Sequence, residues 1–177
     1  DFKDEKYLPE SHSMMNWASD NFYFAPESML TEDRRRVMWT WLNSNNINPT
    51  GVQALPRELE LPGDGILRIK PLKELKSLRY DEIAKKNIQV TSNKALNLSD
   101  IKGDALEIEI TFKAPLPKEF GINLLADEKG KDGLDIIMGK NKKTIKFASI
   151  QPPFELNEGE DLTLNIFIDK NLVEIFV

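Results

Sequence analysis

Two stretches of strict alternation constrain this chain most. Leu106, Ile108 and Ile110 interleave with Glu107, Glu109 and Thr111, and Leu162, Leu164, Ile166 and Ile168 interleave with Thr163, Asn165 and Phe167. A period of two puts the apolar residues on one face of an extended chain, the pattern of a half-buried strand. Further short strand candidates cover residues 121–126, 134–138, 144–148 and 173–177. Turn formers separate them: Glu128-Lys129-Gly130, Gly139-Lys140-Asn141 and Asp169-Lys170-Asn171. Short strands at such spacing predict an antiparallel β-sandwich with little helix. Only residues 72–78, after Pro71, and residues 81–86 read as short helices. There is no internal repeat.

Residues 22–29 and 37–42 are rich enough in aromatic and β-branched residues to form strands. Thr31-Glu32-Asp33-Arg34-Arg35 lies between them as a tight turn, so the three segments predict an antiparallel hairpin. Arg34-Arg35-Arg36 reads most simply as a solvated turn. Residues 43–51 form a polar, turn-rich loop, and residues 1–20 are polar and irregular, anchored only by Met14, Met15 and Trp17.

The chain has 177 residues, enough for one domain, or one domain and part of another, with a sizeable core. Its net charge of −5 argues against nucleic acid as a partner. It contains no cysteine, which excludes disulfides, thiolate metal sites and a cysteine nucleophile. No run is long and apolar enough to predict a membrane span. The N-terminus shows no signal-peptide pattern. It also does not begin with Met, which suggests a cut or partly represented chain. Asn97-Leu98-Ser99 fits a glycosylation sequon, a triplet common by chance. His12 has no partner that would make it more than a surface residue.

Four ordered blocks carry a resemblance: Asn21-Phe22-Tyr23-Phe24-Ala25-Pro26-Glu27-Ser28, Arg34-Arg35-Arg36-Val37-Met38-Trp39-Thr40-Trp41-Leu42, Gly51-Val52-Gln53-Ala54-Leu55-Pro56-Arg57-Glu58-Leu59 and Leu67-Arg68-Ile69-Lys70-Pro71-Leu72-Lys73-Glu74-Leu75. A fifth lies at the far end, Asp169-Lys170-Asn171-Leu172-Val173-Glu174-Ile175-Phe176-Val177, with Asn171 where a Ser is usual. Together they resemble the passage from catalytic propeller to C-terminal β-sandwich in glycoside hydrolase family 32. Members of that family hydrolyse fructosyl bonds in sucrose, inulin and levan.

The resemblance implies an all-β fold in three parts. Residues 1–50 would be a remnant of the last blade of a five-bladed propeller, 51–58 a linker, and 59–177 a β-sandwich lacking its last strands. It implies a substrate-facing role for Trp41, Tyr23 and Asp20. An aromatic ring stacks on the C–H face of a sugar while polar groups take its hydroxyls. The first block matches the family's Phe-Tyr-Ala-Pro run only with a one-residue insertion, so which aromatic faces the pocket stays open. Alternation puts Trp39 and Trp41 on one face, and both could instead be core. At the junction, Pro56 suits a change of chain direction. Arg57 and Glu58 fit an interdomain ion pair or hydrogen-bond knot better than a catalytic role.

The family's catalytic motifs are missing from this sequence. Met14-Met15-Asn16-Trp17 echoes Trp-Met-Asn-Asp-Pro-Asn without its Asp-Pro, Arg-Asp-Pro does not occur, and Glu-Cys needs a cysteine. A retaining glycosidase needs two carboxyl groups about 5 Å apart, and choosing a pair among 29 acidic residues would be arbitrary. No catalytic residue, cofactor or metal ligand is therefore expected, and the chain should be catalytically silent by itself. The sandwich half has no Trp, and most of its six Phe stand among aliphatic strand residues. A structural role is thus favoured over a fructan-binding module, with Phe167 and Phe176, in the polar phase of their strands, as the candidate exposed aromatics. Ending at Val177 would leave a sheet edge unpaired, open to homodimerisation. The compartment is left open, a secreted or periplasmic one being favoured over the cytoplasm.

Overall fold

The computed structural model describes residues 2–7, 14–17, 23–43, 51–139 and 143–177. Thirteen strands are present among them, and the predicted all-β antiparallel fold is borne out. A two-stranded ribbon, β1 (Phe2–Lys3) with β2 (Lys6–Tyr7), opens the chain. The expected hairpin follows as β3 (Tyr23–Leu30) and β4 (Arg36–Asn43). Its turn closes through the Thr31 amide on the Arg35 carbonyl and the Arg34 amide on the Thr31 carbonyl. β4 also pairs with β5 (Gly51–Gln53) and β6 (Arg57–Glu60), and β6 pairs with β7 (Arg68–Pro71). Residues on both sides of the expected linker thus hydrogen-bond into one five-stranded sheet.

A β-bulge interrupts the hairpin between Phe24 and Glu27, where three steps along β3 match two along β4. Ala25 sits there at φ 44°, in the left-handed region that disfavours a side chain. The bulge accommodates one extra residue without breaking the sheet. Across it, Phe24 lies opposite Trp41 and Tyr23 opposite Leu42, so Tyr23 and Phe24 face opposite ways.

A 3-10 helix, Lys73–Leu78, follows β7. The second expected helix does not form: residues 81–86 are irregular and exposed. Their sequence offers no stripe of apolar side chains for a helix to bury, and short helices draw most of their stability from such packing.

The sandwich consists of two three-stranded sheets. One has the order β13-β12-β8, from β8 (Ala105–Phe112), β12 (Leu162–Asp169) and β13 (Leu172–Phe176). The other has the order β11-β10-β9, from β9 (Phe120–Leu124), β10 (Leu134–Met138) and β11 (Ile145–Phe147). Their facing sides supply one core: Leu162, Leu164, Ile166 and Ile168 from β12 against Leu124, Ile136, Met138 and Ile145. The alternation along residues 162–168 follows from this, each fully buried aliphatic side chain contributing about 2 kcal/mol. A two-residue turn, Lys170-Asn171, returns β12 into β13, with Lys170 at φ 52°.

The outer side of the sheet containing β13 is covered at β13, while Glu109, Thr111 and Thr163 on the same side stay exposed. Glu174 and Phe176 point away from the sandwich core, yet they are only 7% and 9% exposed. They lie under the five-stranded sheet, where β13 meets β7 and Arg57. Phe176 is therefore no exposed platform: it packs edge-on against Phe167 at 5.9 Å and beneath the Arg57 guanidinium. Residues in the polar phase of β13 are apolar or ion-paired because a third layer sits on them.

Candidate functional site

The residues singled out from the sequence fall into two groups on opposite faces of the five-stranded sheet. Asp20 lies outside the described residues. On one face Trp41 is 46% exposed and Phe24 44% exposed, their ring centroids 6.4 Å apart and tilted by 53°. Trp39, two residues along the same face, is half-buried. Glu27 stands opposite Trp39, and Gln53 stands opposite Trp41 on the other flank. Both Glu27 and Gln53 are exposed. The face thus offers aromatic surface beside a carboxylate and a carboxamide, the combination that meets the apolar and hydroxyl sides of a sugar.

Gly51 shapes this face. Its Cα lies against the Trp41 indole so closely that an added Cβ would stand 2.8 Å from Cε2, and nearer still to Nε1. The indole packs on bare backbone there, so Gly51 is required by close approach. Phe24 and Gly51 did not emerge from the sequence as site residues. The cross-strand register that brings them to Trp41 depends on the bulge and on β5, neither of which has a strong local signal.

The other face carries a buried hub. Arg57 is 6% exposed and pairs with the Glu174 carboxylate of β13 through Nη2. Its Nη1 donates to the Tyr23 hydroxyl at 3.1 Å and to Asn16 Oδ1 at 3.0 Å. The guanidinium stacks over the rings of Tyr23 and Phe176, 5.0 and 5.2 Å from their centroids. Glu174 also accepts the Leu55 amide at 2.8 Å. Tyr23 therefore lies at the seam with the sandwich, and the structure does not bring it together with Trp41. Arg57 Nε and Thr40 Oγ1, on the same side of the sheet, are buried without a hydrogen-bond partner among the described residues.

A second knot surrounds Arg35, which is mostly buried rather than solvated. It donates to Asp33 at 2.8 Å, to Glu58 at 3.1 Å and to both Glu74 oxygens at 2.6 and 3.3 Å. Lys73 stands 3.4 Å from Asp33. Hydrogen bonds from the Thr31 hydroxyl and then Arg35 hold the Asp33 carboxyl well below the usual range. Arg35 lowers Glu74 in the same way. Pro56, between β5 and β6, accepts the Leu72 amide at 3.0 Å. The hairpin turn, the junction and the 3-10 helix are thereby joined.

Among the described residues, no cluster of three or more His, Asp or Glu side chains could hold a metal ion, and no helix is long and apolar enough to cross a membrane. Surface depressions on the sandwich, one lined by Lys143, Pro153, Phe154 and Glu155, contain none of the residues singled out above.

The sequence is 29% identical to the sucrose-6-phosphate hydrolase of Vibrio alginolyticus over 88% of this chain and 32% of that protein. It is 24% identical to the fructan 6-exohydrolase of Beta vulgaris over 99% of this chain and 39% of that protein. The chain thus spans about a third of the length of these curated relatives. The solved sucrose-6-phosphate hydrolase of Lactobacillus gasseri shares the fold, with a TM-score of 0.64 at 24% identity, over 87% of this chain and 34% of that one. Residues 74–177, more than half of the chain, match the model of the family described as "Glycosyl hydrolases family 32 C terminal". With that match and the sandwich architecture in agreement, the chain belongs to the glycosyl hydrolase family 32 C-terminal family.

Proposed function

We propose that this chain is the C-terminal part of a hydrolase that cleaves fructosyl bonds of sucrose, inulin or levan. Residues 1–50 would be a remnant of its last propeller blade, 51–58 the junction and 59–177 the mainly structural C-terminal part, whose first strands complete the five-stranded sheet before the sandwich begins at β8. The observation that carries the structural reading is the buried pair between Arg57 and Glu174. It joins two sheets whose partners lie 117 residues apart in sequence. Truncating either member would leave the other charge buried and uncompensated, a cost of about 3–5 kcal/mol. The sequence contains none of the three catalytic motifs of the family, so this polypeptide by itself has no hydrolytic role in the proposal. The test is incubation of the purified chain with sucrose, inulin and levan. No release of fructose is expected, and release above a heat-treated control would overturn the assignment.

A second reading, a fructan-binding module, is favoured by one observation: Trp41 and Phe24 expose neighbouring aromatic rings beside Gln53 and Glu27. Calorimetry with inulin and levan oligosaccharides decides it, and absence of heat at millimolar ligand rejects it. A homodimer formed through an unpaired sheet edge is a further proposal, which a monomeric mass by light scattering would exclude.

A further inference from the structure

The hub at Arg57 reaches in two directions. Nη2 goes to Glu174 of the sandwich, and Nη1 goes to Tyr23 at the start of β3 and to Asn16. A guanidinium is a planar fork, so fixing one edge fixes the direction of the other. Tyr23 is the immediate neighbour of Phe24, and the two point to opposite faces. Anchoring the Tyr23 hydroxyl below the sheet therefore sets where Phe24 stands above it.

This end of β3 needs an anchor. β3 is an edge strand, exposed along seven of its eight residues. The bulge separates its first two ladder pairs, Tyr23 with Leu42 and Phe24 with Trp41, from the rest. An exposed edge cut off by a bulge has little local stability of its own.

We propose that Glu174 is a positioning residue for the aromatic face. Its carboxylate, presented by the sandwich, holds Arg57 in the orientation that bonds Tyr23, and so fixes Phe24 beside Trp41. A contribution to sugar contact rests on the fructan-facing reading given above. The coupling across the seam does not.

The test separates holding the two sheets together from orienting β3. Replacing both members, Arg57→Met with Glu174→Leu, exchanges a buried ion pair for apolar side chains of similar size. Such exchanges are often neutral or stabilising. The double variant also leaves the Leu55 amide without its acceptor, so a cooperative transition is expected with a midpoint lowered by no more than about 10 °C. Amides around residues 23–25 and 41–43 should nevertheless exchange about tenfold faster, as expected for loss of one charge-assisted hydrogen bond. The Trp41 indole resonance should move, while the amides of β12 stay protected. A stable double variant with unchanged exchange at 23–25 would overturn the proposal and leave the pair as a staple only. Glu174→Gln, with Arg57 and Tyr23 intact, isolates the carboxylate and covers the case in which the double variant does not fold. It removes only the charge on Glu174, and unchanged exchange at 23–25 in that variant overturns the proposal equally. Calorimetry on the unaltered chain addresses the fructan reading separately, so its failure leaves the exchange result intact.

Discussion

Gly51→Ala should dislodge Trp41, and the structure indicates by how much. The new methyl would stand 2.8 Å from Cε2 and closer to Nε1, while ordinary contact begins at 3.4 Å. Clearing Cε2 alone takes about 0.6 Å, and clearing Nε1 takes more. Gly51 pairs with Asn43 in the ladder between β5 and β4, so its backbone cannot retreat without breaking that pairing. The indole is 46% exposed and free on one side, so it is the group that moves. Its buried half amounts to about 100 Å² of apolar surface, worth up to about 2.5 kcal/mol at ~25 cal/mol per Å². Partial re-docking recovers some of that, which puts the expected loss at about 1–2 kcal/mol, or roughly 2–8 °C in thermal midpoint for a chain of this size. The indole NMR resonance of Trp41 should shift, and its fluorescence, measured with Trp17 and Trp39 replaced by Phe, should move to the red. Any affinity for inulin oligosaccharides should fall with it. An unshifted indole resonance together with an unchanged midpoint would refute the packing of Trp41 on Gly51.

Three further outcomes are expected. Thr40→Val removes a buried hydroxyl without a hydrogen-bond partner among the described residues and keeps the shape, so chemical denaturation should show stability unchanged or raised by about 1 kcal/mol, and a clear loss would show the hydroxyl to be satisfied. Asp33 and Glu74 have carboxyls held below the ordinary range in the fold, so their contribution is present at neutral pH and is lost as pH falls from about 5. Arg35→Leu should therefore lower the midpoint at pH 7 and flatten its decline between about pH 6 and pH 3, and an unaltered slope would remove Arg35 as the cause. Deleting Ala25 should close the bulge into a regular ladder that keeps Phe24 opposite Trp41 and Tyr23 opposite Leu42 and removes a residue held at φ 44°, so stability in urea denaturation should be unchanged or raised by about 1 kcal/mol, and a clear loss would refute this register.

What could be read from the sequence was whatever a strand declares locally. The alternation at residues 162–168 marked the strand that supplies half of the buried core, that at 106–111 marked its partly buried neighbour, and the hairpin came from its aromatic runs and turn residues. Trp41 was singled out because the ordered blocks resemble a known family. The rest depended on partners remote in sequence. Arg35 looked like one of three solvated arginines because Glu58 and Glu74 meet it only after β6 and the 3-10 helix are placed. Phe176 and Glu174 stood in the polar phase of β13, and local pattern cannot say that a third layer covers that phase. The helix expected at residues 81–86 failed for the same reason in reverse: the local sequence tolerates helix, but no surface is there to receive one.

The three-layer arrangement also explains why the seam is built from charge. The middle sheet must bury Leu164 and Ile166 on one side and accept the five-stranded sheet on the other. An all-apolar outer face on β13 would satisfy burial but would allow many nearly equivalent dockings, since dispersion contacts are non-directional. Glu174 removes that freedom. Its two oxygens take the Leu55 amide and the Arg57 guanidinium, and a displacement of about an ångström along the strand would weaken both bonds. The net free energy of such a pair against an apolar replacement is small, so what it adds is register. Register at this seam reaches, through Tyr23 and the bulge, to the face where Phe24 and Trp41 stand.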